Sequence, residues 1–131
     1  MIKSNELRKI ARARLKDAEV LFRARRYDGA SYICGYAVEI ALKAHICRAL
    51  KWPKYPETNS EFTGYQSFRT HDLDVLLHLS GREESVKLHL LAQWFIIQKW
   101  DPSARYKPIG SAARVETQNM ISAASEILRK I

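Results

Sequence analysis

Between Asp28 and Leu50 the residues Ala37, Val38, Ile40, Ala41, Leu42, Ala44, Ile46 and Cys47 leave almost no side of a helix without an apolar group. Such a helix is stable only when surrounded, so the rest of the 131 residues has to wrap it. A chain of this length forms one domain, here residues 1–131, and buries roughly two thirds of its unfolded surface. No apolar run approaches the roughly 18 residues of a membrane span, so no membrane partner is expected.

The polar exceptions in this helix are ordered. Tyr32, Tyr36, Glu39 and Lys43 fall within about 60° of one another on a 3.6-residue wheel and form one narrow stripe. Glu39 four residues before Lys43 is the favourable orientation, yet an exposed pair of this kind contributes only about 0.3–0.5 kcal/mol. Partly buried, the pair needs further partners to offset desolvation. Arg14, projecting to the core side of the preceding helix, is one candidate for Glu39. The stripe is either a polar seam between helices or half of a binding site.

The preceding helix, from about residue 4 to residue 25, sets Leu7, Ile10, Ala11, Leu15, Ala18, Leu21 and Phe22 on one face. Residues 3–26 carry nine Lys or Arg against three carboxylates, an excess of six within a chain of net charge +8. Arg8, Arg12, Lys16 and Arg23 form a basic surface that is either simply solvated or turned toward phosphate. The pI near 9.7 fits a polyanion or an acidic protein as partner.

Further along, Asp28 is placed to cap the apolar helix, and Pro53 and Pro56 end it. Residues 51–68 read as a long polar and aromatic loop, disordered or partner-facing. A short helix over about 70–79 is capped by Thr70 or Asp72 and stopped at Ser80-Gly81. A fourth helix spans about 83–99 with Val86, Leu90, Trp94 and Ile97 on one side. Residues 100–110 form a second loop, and a last helix starts at Ser111. No turn dipeptide separates alternating strands. The expected fold is all-α, an antiparallel up-and-down four-helix bundle with an additional short helix.

The N-terminal residues lack an apolar block and small-residue cleavage site, which points to the cytoplasm. Cys34 and Cys47 lie about 20 Å apart along one helix, too far for a disulfide.

Three stretches in order, YDGASYICGYAVEIALKAHI, THDLDVLL and WDPSARY, resemble the HEPN domain, the higher eukaryote and prokaryote nucleotide-binding domain. The resemblance runs from about Leu7 to Ile131. It implies a helical bundle, usually a homodimer, often paired with a small nucleotidyltransferase protein in a toxin–antitoxin arrangement. It marks Tyr36 to Ala44, His71 to Leu73, and the Arg105-Tyr106 pair. Among these, Lys43 and Arg105 offer phosphate donors, and His71 donates or accepts near neutral pH. Tyr106 or Trp100 can stack on a base, while Tyr36 and Glu39 complete the candidate nucleotide site.

Many members of that family are metal-independent ribonucleases with an Arg followed after four to six residues by His. In this chain only Arg82 and His89 match: His89 as general acid or base on an RNA 2′-hydroxyl, Arg82 on the scissile phosphate. Glu83 departs from the residue usual after that Arg, and Glu83-Glu84 place negative charge where RNA phosphate has to lie. His71 and His78 are seven apart, not the four that set two ligands side by side, so no metal is assigned, and no cofactor. Three functions stand at this stage: a nucleotide- or nucleic-acid-binding module, an RNA endonuclease, and a structural partner subunit.

Overall fold

The computed structural model describes residues 1–131. Helices α1 (Ser4–Arg23) and α2 (Tyr27–Ala49) form an antiparallel hairpin closed by a three-residue turn. Then come α3 (Leu73–Leu79), α4 (Glu83–His89), α5 (Leu91–Ile97) and α6 (Arg114–Lys130), with 3₁₀ turns at Gln66–Phe68 and Pro102–Tyr106. The architecture is an all-α bundle. Helix α2 lies at its centre: α1, α3 and α6 all pack on it, and α6 also packs on α1 and α5.

The all-round apolar character of α2 is matched by its burial, with Ala30, Cys34, Val38, Leu42 and Ile46 closed off from solvent. The other helices contribute Leu7, Ala18, Leu76, Trp94 and Ile127 to the same core. Both cysteines are free and buried, and burial pushes the Cys34 thiol up to about 12.

Helices α1 and α2 end alike. Arg25 and Lys51 adopt left-handed backbone, φ 62° and 57°, and the next amide reaches back five residues, Arg26 N to Leu21 O at 2.8 Å and Trp52 N to Cys47 O at 2.7 Å. This closure normally uses glycine, because a Cβ in that region costs about 1 kcal/mol. The chain uses a basic residue at both positions.

Several sequence expectations need correction. The fourth helix expected is two: Leu90 leaves helical dihedrals at φ −134° and ψ 29°, separating α4 from α5. Trp94 N still donates to Leu90 O, so the four-residue bonding step crosses the bend and Val86, Leu90, Trp94 and Ile97 all remain buried. Asp28 does not cap α2; it lies in the first turn, with Arg26 at the cap. The last helix begins at Arg114, three residues later than expected. A two-residue antiparallel pairing joins β1 (Ile2–Lys3) to β2 (Lys54–Tyr55).

Residues 51–68 fold into an aromatic cluster. Tyr55 and Phe62 are buried, Trp52 packs against Tyr55, Tyr65 and Phe68, and the Tyr55 hydroxyl donates to Phe68 O at 2.6 Å. Five large rings supply enough apolar area to order a polar loop.

Candidate functional site

The polar stripe of α2 is capped at two places by residues from elsewhere in the chain. Glu39 is 3% exposed, and its two carboxylate oxygens are used separately: Lys43 Nζ donates to Oε2 at 3.2 Å, and His71 Nδ1 lies 2.8 Å from Oε1. Lys43 also sits over the Tyr55 ring, 5.5 Å from its centroid. A buried carboxylate is tolerable only when both oxygens are satisfied, and here they are. Arg14 takes no part. It pairs with Asp17 at 3.0 Å, a neighbour one turn away on the same helix.

His71 reaches Glu39 because Asp72 caps α3, accepting from Asp74 N at 2.9 Å and Val75 N at 3.3 Å. Thr70, the alternative cap, instead accepts from Asp72 N at 3.0 Å. The cap fixes the chain just before α3 and sets His71, more than half exposed, over the stripe.

One turn earlier on α2, Tyr36 meets the edges of Tyr32 at 5.2 Å and Trp100 at 4.8 Å between centroids. The Trp100 indole lies directly on the α2 backbone at Gly35, where a Cβ would stand 2.1 Å from ring carbon Cδ2. Its N–H donates to Tyr32 O at 3.1 Å. Burial, then hydrogen bonding to Tyr32, pushes the Tyr36 phenol up to about 12. Hydrogen bonds to Tyr32 and Tyr106 raise the pKa of Arg105, whose guanidinium also lies 4.9 Å from the Tyr106 ring centroid.

Asp28 clasps the segment that carries these groups. Its carboxylate accepts from Gly110 N at 2.7 Å and Ala112 N at 2.9 Å, and those two amides hold its pKa below the ordinary carboxylate value. Between this clasp, α5 and α6 opens a cleft of about 850 Å³. Lys99, Arg105 and Lys107 line it together with Tyr32, Phe95 and Trp100, and so do Glu116 and the amide-bound carboxylates of Asp28 and Asp101. None of the three basic residues is within 4.0 Å of a carboxylate.

The structure therefore divides the sequence-derived candidates. Tyr36, Glu39, Lys43 and His71 form one cluster; Arg105 lines the cleft, and Tyr106, which it covers, is exposed outside that lining. Lys99, Lys107 and Gly35 belong to this region and were not singled out by sequence. A glycine inside an otherwise apolar helix was the available signal for close approach.

Arg82 and His89 stand at opposite ends of α4, about 10 Å apart along the axis at 1.5 Å per residue. The Arg82 guanidinium donates to Lys130 O at 3.3 Å, at the C-terminal end of α6. His89 is exposed. No group of three or more His, Cys, Asp or Glu side chains is arranged to hold a metal ion, and no helix is long and apolar enough to cross a membrane.

The family model of the HEPN domain matches residues 4–60, which comprise α1, α2 and the first part of the aromatic loop. No curated protein and no solved structure matches the chain.

Proposed function

Because the chain belongs to the HEPN domain family by its match over residues 4–60, we propose that it is a nucleotide-binding module whose ligand occupies the cleft beside the α2 stripe. The observation that supports this reading is the convergence of three unpaired cations, Lys99, Arg105 and Lys107, with the rings of Tyr32, Phe95 and Trp100 in one concave site. Cations suit the phosphates and an aromatic face suits the base. Glu39, Lys43 and His71 are spent on one another and none of them lines the cleft, so in this reading they do not touch the ligand.

Isothermal titration with ATP and related nucleotides tests the reading. Arg105→Ala is expected to weaken binding about tenfold, the loss of one charge-assisted contact worth about 1.4 kcal/mol. Equal affinities remove Arg105 from the site, and absence of binding by the wild-type protein overturns the proposal.

The reading extends to assembly. Outside the cleft, Leu91 at the start of α5 is about half exposed, with Leu88 more so just before it. A second copy is the occupant that fits this face, since two chains of charge +8 repel except where apolar surface replaces charge. A homodimer mass at micromolar concentration is expected, with Leu91→Asp giving a folded monomer; a wild-type monomer contradicts it. In this scheme the dimer acts with a small nucleotidyltransferase partner of the toxin–antitoxin kind. The endonuclease reading has less support, because the Arg82 guanidinium is turned to the end of α6 and away from His89 along α4.

A further inference from the structure

A second basic feature lies away from the nucleotide cleft. Along the seam where α1 packs on α6, three depressions of about 570, 300 and 540 Å³ follow one another. They are continuous: Glu19 borders the first two, and Phe22 and Arg23 border the second and third. Together they make one groove running from Arg12 and Arg129 at one end to Arg25 and Arg114 at the other, about 20 Å along α1 at 1.5 Å per residue.

Six basic side chains line it: Arg12, Lys16, Arg23, Arg25, Arg114 and Arg129. Glu19 is the one carboxylate in its walls. Of the six cations only Arg129 is paired, with Glu126, whereas Arg14 just outside the groove is matched by Asp17. Unpaired cations repeated along a linear groove describe the complement of a linear polyanion. At the Arg25 end, Phe22 and Tyr27 lie 5.5 Å apart between centroids, and the Arg114 guanidinium is 5.7 Å from the Phe22 centroid. Arg25 itself stands in the left-handed backbone position where glycine is favoured, so a guanidinium is held at this end against local conformational preference.

We propose that the α1–α6 groove binds the sugar-phosphate backbone of single-stranded RNA. A seam between helices packed about 8–10 Å apart admits one strand and not a duplex. The rings at its end offer a stacking face only to an unpaired base. An acidic protein segment is the competing occupant, but the cations recur along the whole groove with one carboxylate among them, a repeat that suits phosphates.

Fluorescence anisotropy with a labelled oligouridylate of about twelve nucleotides, read across a salt series, tests this directly. Each phosphate contact to a single strand contributes a slope of about −0.7 in log K against log salt, so five unpaired cations predict about −3.5. The double variant Arg25→Gly/Arg114→Gln is expected to weaken binding more than tenfold and to make the slope shallower by about 1.4. Its melting temperature should hold or rise, because glycine relieves the backbone at position 25. An RNA affinity indifferent to salt, or equal in wild type and double variant, overturns the proposal. So does polyglutamate competing as well as RNA at matched charge, which identifies a protein-facing surface. ATP binding by the double variant should equal wild type, which separates this groove from the cleft at Arg105.

Discussion

Gly35→Ala is expected to destabilise the protein by about 3 kcal/mol. The added methyl would stand 2.1 Å from the Trp100 ring, far inside van der Waals contact, and α2 is held on its other sides by α1 and α6. Overpacking a core typically costs about 1–3 kcal/mol, and this case sits at the upper end because the obstacle is a rigid indole with its N–H tied to Tyr32 O. The gain of up to about 1 kcal/mol that alanine brings to a helix interior does not offset it. Urea unfolding followed by tryptophan emission reads both consequences: a lower midpoint, and a red shift as Trp100, 7% exposed, moves toward water. Removing the ring as well, in Gly35→Ala/Trp100→Ala, relieves the clash and leaves only the cost of the cavity. Stability of Gly35→Ala equal to wild type would show that the indole does not lie where the structure places it.

The second large effect is at Glu39. Removing one partner of a buried ion pair typically costs about 3–5 kcal/mol, because the other is left uncompensated. Here Lys43 is 18% exposed and His71 57%, so both can turn to water, and about 2–3 kcal/mol is expected for Glu39→Ala. His71→Ala should cost about 1–3 kcal/mol, because it leaves the buried Glu39 Oε1 without its partner. Glu39→Met/Lys43→Met should regain most of the single variant's loss, since two apolar groups of similar length replace the charges together. These stabilities, read from urea midpoints, distinguish a structural cluster from a ligand contact. A Glu39→Ala protein as stable as wild type that fails to bind nucleotide would place Glu39 in the site.

The difference between those two residues shows what could be read from sequence. Glu39 and Lys43 announced themselves because charges interrupt a helix that is otherwise apolar, and helical period placed Tyr32 and Tyr36 on the same stripe. Their third partner did not. His71 is 32 residues from Glu39 in the chain, while Arg14, the candidate offered by the wheel, had a closer carboxylate at Asp17. Local pairs win over distant ones when both are solvated, and the wheel contains no information on distance across the bundle.

The core faces of α4 and α5 were legible for the same periodic reason, but the bend at Leu90 was not. No glycine or proline marks it, and the i to i+4 bonding step that carries the apolar spacing continues through it. Disorder was expected for residues 51–68 from their prolines and polar residues, whereas five rings bury one another there. The cleft was legible at Tyr32, Trp100 and Arg105, whereas Tyr106 lies outside its lining. Lys99 and Lys107 join it because the 3₁₀ turn at Pro102–Tyr106 folds the segment back, and no period predicts a fold-back.

The clasp at Asp28 also bears on the order in which the molecule is made. Helices α1 and α2 meet across a three-residue turn, whereas Trp100 reaches Tyr32 over 68 residues and Gly110 reaches Asp28 over 82. Loop-closure entropy rises by about 0.6 kcal/mol for each doubling of length, so the hairpin closes at far smaller entropic cost than either long-range contact. The α2 stripe therefore stands bare through the early stages of folding, and the cleft comes into being only when the last third of the chain lies down upon it. A newly made chain has its basic first helix before it has its cleft.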